Sequence, residues 1–235
     1  MKRTLMTVLT VLAGVLVVAG SVLFFGMGAQ QPTALAATVV GTKSTDSGEV
    51  PHATLELSIY PNQSDAVPPP AVDDPTAQVA SASQQWPFYT PSTNIEVPAH
   101  SLVTVTIHQY DTGGQIYNPF LATVQGTVDG TADYDGESKD KTDPNTVAHT
   151  FTIHQYPEST QPDLFVNVPV PANSANAPAD ANGYPKHPKE ITFSFMTGDA
   201  GEYIWNCEFP CGSGYVEFGG PMQQRGWMSG TLTVV

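Results

Sequence analysis

From residue 53 onward, apolar and β-branched side chains recur at every second position in short runs that Gly and Pro interrupt, and a 3.6-residue period never takes over. Alternation of this kind buries one face of a strand and leaves the other free. The clearest runs are Ala53-Thr54-Leu55-Glu56-Leu57-Ser58-Ile59, Leu102-Val103-Thr104-Val105-Thr106-Ile107, Ala148-His149-Thr150-Phe151-Thr152-Ile153, Ile191-Thr192-Phe193-Ser194-Phe195 and Gly230-Thr231-Leu232-Thr233-Val234-Val235. Shorter ones occupy 95–97, 165–170 and 202–207. Many short strands with Gly- and Pro-rich connections and no amphipathic helix predict an all-β fold, a sandwich or barrel. The runs at 95–97 and 102–107 flank a turn-like Pro98-Ala99, and both are expected to pair in a sheet. Three stretches read as long loops: Pro68-Pro69-Pro70 onward to residue 85, with Trp86, Phe88 and Tyr89 pinning its end; the polar segment 129–145; and the Ala-, Asn- and Pro-rich segment ending at Pro188. Asp133, Asp135 and Asp140 miss the spacing of an EF-hand loop. No internal repeat is present.

Ahead of this body, residues 5–29 contain no charged side chain, whereas Lys2 and Arg3 precede them. An uncharged run of that length is enough to cross a bilayer as one helix. The positive-inside rule then leaves a cytoplasmic stub at 1–4 and sends the rest across the membrane. A secretory signal gives the same sidedness, and Ala34-Leu35-Ala36 is an A-x-A cleavage pattern, so anchor and cleaved signal both stay open. Residues 30–50, small and polar in their second half, are expected to be a flexible tether, and 51–235 one domain. The expected location is the outer face of the cell membrane with a single span, or secretion if the signal is removed.

Six basic residues face 22 acidic ones beyond residue 3. Nucleic acid and anionic lipid are poor partners for such a surface. The acidity serves either solubility outside the cell or the steering of a cationic redox partner. Catalytic signatures are missing: there is no G-x-S-x-G elbow, no phosphate-binding Gly loop and no H-E-x-x-H helix. The residues that carry chemistry are instead Cys207 and Cys211, the only two cysteines, set at a strand end with three residues between them. Met222 and Met228 follow, and His149 opens a strand far upstream. Thiolate and thioether favour cuprous ion and imidazole tolerates both oxidation states, so this mixture is copper-like. Export into an oxidising compartment equally allows a Cys207–Cys211 disulfide. A reversible thiol pair is a third possibility. Cys207 acting as a nucleophile would need His149 as its base.

Three segments resemble the cupredoxin superfamily, the blue copper proteins and the copper domain of cytochrome c oxidase subunit II. Residues 95–107 resemble its VPA-containing opening, and Asn145-Thr146-Val147-Ala148-His149-Thr150-Phe151 resembles N-x-x-x-H-T-F. In the third, the close from Gly201 to Val235, Gly201-Glu202-Tyr203-Ile204-Trp205-Asn206-Cys207 looks like G-x-Y-x-x-x-C, and Met228-Ser229-Gly230-Thr231-Leu232-Thr233-Val234 like M-x-G-T-L-x-V. The resemblance implies a cupredoxin-like Greek-key β-sandwich and a copper cofactor. It makes His149 the upstream imidazole, Cys207 the thiolate and Met228 the axial thioether, with Met222 as alternative and Glu208 as donor of a backbone carbonyl. It further implies one-electron transfer or copper handling near a respiratory chain, with a redox protein or oxidase subunit as partner. The alternative is a copper-free cupredoxin scaffold locked by the disulfide.

The chain departs from the family at one ligand. Family loops place a second His between the Cys and the final Met, but no histidine follows His187 here; Tyr215, or Gln224 and Arg225, occupy the corresponding positions. A dinuclear centre lacks its imidazole, and a mononuclear one would need His149, Cys207, Cys211 and a Met to suffice.

Overall fold

A computed structural model describes residues 34–46, 48–64, 67, 86–114, 116–155, 163–212 and 220–235. The expected membrane segment 5–29, the Pro68–Pro70 excursion and Tyr215 lie outside them. Among the described residues no helix is long and apolar enough to cross a membrane.

The described chain is all-β, apart from two 3-10 turns. In chain order the strands are β1 (Leu35–Ala36), β2 (Thr38–Thr45), β3 (Gly48–Tyr60), β4 (Phe88–Thr90), β5 (Asn94–Val97), β6 (Leu102–Gln109) and β7 (Ala132–Tyr134). They continue with β8 (Glu137–Lys139), β9 (Val147–Gln155), β10 (Val166–Pro171), β11 (Lys189–Met196), β12 (Gly201–Asn206) and β13 (Ser229–Val234). Two sheets form. One runs β1-β5-β13-β12-β9-β10, the other β2-β3-β6-β11-β7-β8, with β4 on β3.

Alternation along the strands builds the core between the sheets. Val103, Val105 and Ile107 of β6, Leu55, Leu57 and Ile59 of β3 and Ile191, Phe193 and Phe195 of β11 are buried from one sheet. Ile95 and Val97, Phe151 and Ile153, Tyr203 and Trp205, and Leu232 and Val234 are buried from the other, and all belong to one apolar cluster. Trp205 is its anchor: the indole stacks on Phe151 at 4.9 Å, meets Tyr89 edge-on at 4.8 Å and donates from Nε1 to the Thr93 carbonyl at 2.8 Å. Gly230 of β13 is required beside it, since a Cβ there would collide with the Thr93 backbone. The runs at 95–97 and 102–107 do become strands, but in different sheets. β5 pairs in parallel with β13, while β6 pairs with β3 and β11. The corner between them is tied by Thr197, whose hydroxyl donates to the Pro98 carbonyl at 2.7 Å and accepts the Ser101 N–H at 2.9 Å.

Two expectations are corrected. The described part of the tether 30–50 is strand, so the domain begins well before residue 51: β2 pairs antiparallel with β3 along Thr38–Thr45. Its β-branched Thr38-Val39-Val40 favours extended backbone. Glu49 accepts hydrogen bonds from Thr42 and Ser44 across the hairpin, each at 3.0 Å. The polar segment 129–145 is likewise no simple loop. It contains the hairpin β7–β8, closed by Asp135 (φ 54°) and Gly136 (φ 88°), and an Asp-Gly pair with both φ positive is the turn that right-twisted strands prefer. Tyr134 anchors it, buried and donating its hydroxyl to the Pro169 carbonyl at 3.1 Å.

Candidate metal centre

The strand register explains how residues 58 positions apart come together. β9 and β12 run antiparallel, with Trp205 opposite Ile153 and Asn206 opposite Thr152. Side chains two apart share a face, so His149 points inward with Phe151 and Ile153, and Cys207 points inward with Trp205. Both emerge at the same end of the sandwich. β13 lies on the other flank of β12, and the Cys207 N–H donates to the Met228 carbonyl at 2.8 Å. That bond extends the ladder by one pair and sets Met228 across from Cys207. Beyond Cys207 the chain folds back so that Cys211 faces it. Gly212 permits this return: its φ is 71°, and a Cβ there would press on Pro221 and Pro87.

His149, Cys207 and Cys211 are the group of potential metal ligands that converges among the described residues, with their donor atoms all within 4.8 Å of one another. Cys207 Sγ lies 3.8 Å from Cys211 Sγ and 3.9 Å from His149 Nδ1. The cysteines are unbonded and both are buried. Two thiolates each about 2.3 Å from one tetrahedral ion stand about 3.8 Å apart, and a thiolate and an imidazole nitrogen about 3.6 Å apart. The sulfur pair matches that spacing, the Cys207–His149 pair exceeds it slightly, and the Cys211–His149 pair lies within 4.8 Å. The residues present therefore have the donor types for one ion held by one imidazole and two thiolates, with the sulfur pair already at the required spacing.

Of the two methionines, Met222 sits in a 3-10 turn, Pro221–Gln223, and its Sδ accepts the Cys211 N–H at 3.4 Å. Met228 is fully buried in the same cluster as both cysteines. Glu208 faces the other way. Its carboxylate accepts from Asn206 Nδ2 at 3.0 Å on the outer surface, and its N–H donates to Thr150 Oγ1 at 2.9 Å. The carbonyl near the thiolate is that of Phe209, 3.4 Å from Cys207 Sγ.

Asp111 is the partner that sequence reasoning missed. Its Oδ2 lies 2.7 Å from His149 Nε2, on the ring edge opposite the cysteines. It comes from beyond the end of β6, in the other sheet, and no spacing rule connects it with a histidine 38 residues downstream. Burial alone would raise the Asp111 carboxyl; the hydrogen bond from His149, that ring's charge and the amides of Gly113 and Thr112 outweigh it and hold the group below its ordinary value. Burial likewise favours a neutral His149, but the bonds to Asp111 and Cys207 bring it up to about 9. For Cys207, burial is offset by the Cys211 thiol, the His149 ring and the Thr150 amide, and the thiol falls to about 5. Cys211 moves the opposite way: burial and the neighbouring Cys207 sulfur push it well above an ordinary thiol.

Carboxylate, imidazolium and thiolate in line also describe an activated nucleophile. Cys207 is 1% exposed and His149 0% in this arrangement. The other histidines stay apart from the cluster. His52 bonds Thr104, His100 pairs with Asp199 at the surface and His154 bonds Asn206 on the outer face.

No protein-family model matches the chain, and no curated protein matches it in sequence. Among solved structures it is similar to auracyanin B, at 13% identity and a TM-score of 0.34 over 86% of this chain and 99% of that one. It is also similar to rusticyanin from Thiobacillus ferrooxidans, at 14% identity and a TM-score of 0.34 over 84% and 88%. Another rusticyanin structure, described as a copper protein, gives 13% identity and a TM-score of 0.30. Any chemistry at the site comes from the converging donor atoms of His149, Cys207 and Cys211, not from this likeness.

Proposed function

We propose that this chain is an exported copper-binding protein of cupredoxin type, held to the outer face of the membrane through residues 5–29, which passes single electrons or hands over copper beside a respiratory complex. The observation that supports it is the convergence of His149 Nδ1, Cys207 Sγ and Cys211 Sγ inside a buried end of the sandwich. Bound there, copper would supply one-electron chemistry between its cuprous and cupric states. His149, Cys207 and Cys211 would hold it, with a thioether from Met228 or Met222, so that Cys211 stands in for the family's missing second imidazole. The strands β9, β12 and β13 fix three of these residues before any ion arrives, which keeps rearrangement small on electron transfer. Burial of the donors excludes water and small thiols.

The second reading is a copper-free scaffold, favoured by the nearness of the two sulfurs in an oxidising compartment. One experiment separates the two. The full-length protein, purified in detergent, is loaded with copper under mild reductant, desalted, oxidised and measured by metal mass spectrometry and visible absorption. One copper per chain with an intense thiolate-to-copper band is the expected result. Absence of stoichiometric copper, with both thiols lost to a Cys207–Cys211 disulfide, overturns the proposal and leaves the scaffold.

A further inference from the structure

We infer that Asp111 is the positioning residue of this centre: by accepting the His149 Nε2–H it commits the Nδ1 lone pair to the space that Cys207 and Cys211 share. A neutral imidazole carries its single N–H on one nitrogen only, and a carboxylate can only accept. With Asp111 Oδ2 2.7 Å from Nε2, the proton belongs on Nε2, and Nδ1 is the nitrogen left to bind an ion.

Asp111 is itself held on several sides. Its Oδ1 accepts the Gly113 N–H at 2.9 Å, its own N–H donates to Gln109 Oε1 at 3.1 Å, and its carbonyl accepts the Asn173 N–H at 2.8 Å. Asn173 Nδ2 in turn donates to the Gln109 carbonyl at 3.0 Å. This bracket hangs from the end of β6, so one sheet aims a ligand carried by the other. The consequence for metal affinity rests on the proposed copper site; the tautomer does not.

The test is Asp111→Asn. The amide keeps an oxygen for Gly113 but turns a donor toward Nε2, so the ring must accept there and carry its proton on Nδ1, facing Cys207. In metal-free protein, at an alkaline pH where the ring carries a single proton, nitrogen NMR of the His149 ring should show Nε2–H in the wild type and Nδ1–H in the variant. Competition with a cuprous chelator should show affinity falling about 10–100-fold, the usual loss when such an outer partner is changed. Asp111→Ser, whose hydroxyl both donates and accepts, should retain part of the Nε2–H population and lose less affinity; it decides the matter if the Asn variant does not fold. A folded Asn or Ser variant with the wild-type tautomer and cuprous affinity within twofold overturns the inference. If the wild type binds no copper, the proposed function falls while the tautomer measurement still decides the role of Asp111.

Discussion

The two faces of β9 each carry a histidine that meets the segment Asn206–Glu208 or its neighbour across the sheet, and the two histidines have unrelated surroundings. His149 faces inward, wholly buried between Asp111 and Cys207. His154, five residues on and therefore on the opposite face, is half-exposed, with Nε2 2.9 Å from Asn206 Oδ1 and 3.7 Å from Glu208 Oε1. Asn206, Cys207 and Glu208 are consecutive, yet the outer two serve His154 and the middle one serves His149. Strand parity, not proximity in sequence, decides which histidine meets the sulfur. The inner set is wholly buried, whereas the outer set is partly exposed to solvent.

Removing each ring in turn is the largest test of that contrast. His149→Ala strands the Asp111 carboxylate in the interior, and breaking a buried ion pair from one side costs about 3–5 kcal/mol. His154→Ala removes a partly exposed hydrogen bond and should cost about 1 kcal/mol or less. Urea unfolding of the metal-free proteins measures both, and similar midpoint shifts would break the distinction between the faces.

A smaller effect is expected from the first half of the outer face of β9, which is covered rather than solvated. There Thr152 Oγ1 donates to Asn167 Oδ1 at 2.9 Å, and Asn167 Nδ2 donates to the Thr123 carbonyl at 2.8 Å and the Leu121 carbonyl at 3.3 Å. Asn167→Ala leaves these buried groups without their partner and should cost about 1–3 kcal/mol, read from the same unfolding curves. A neutral result would mean that this half of the face admits water as the His154 half does.

Acid sharpens the comparison from the inner side. Asp111 is held below its ordinary value in the folded protein, so its contribution is complete above the unfolded value of about 3.9 and is lost as pH falls through the lower native one. The stability gap between wild type and Asp111→Ala, followed by thermal unfolding from pH 4 to pH 2, should therefore narrow as pH falls. A gap that stays constant to pH 2 would show that the His149–Asp111 contact is not ionic.

The inner face was largely legible before the structure. Alternation marked β3, β6, β9, β11, β12 and β13, and the same alternation aims His149 and Cys207 into one interior. What escaped was whatever depended on contacts between distant segments. β2 is exposed along most of its length, so no buried face imposes a pattern on Thr38–Thr45, and only pairing with β3 makes it a strand. The β7–β8 hairpin was hidden by polar composition, although its Asp135-Gly136 turn was readable. Asp111 left no sequence signal, because its role exists only where the end of β6 in one sheet meets β9 in the other. Met222 meets Cys211 only through the turn at Pro221–Gln223, an arrangement that spacing alone does not give.

The smallest expected effect tests whether the outer face contributes to the centre at all. The sequence resemblance implies a backbone carbonyl from Glu208 as a ligand; its side chain lies outside with Asn206 and His154, and Cys207 Sγ meets the carbonyl of Phe209. Glu208→Gln keeps an acceptor for Asn206 Nδ2 and removes only a charge that solvent already screens. Stability should change by about 0.5 kcal/mol or less, and copper affinity, measured by competition with a cuprous chelator, should stay within about twofold of the wild type, since a full tenfold loss would require a coupling of about 1.4 kcal/mol through the strand. A loss of that size would mean that charge on the outer face reaches the Cys207 sulfur and that the two faces of β9 act together, whereas an unchanged affinity confines the metal chemistry to the inner side.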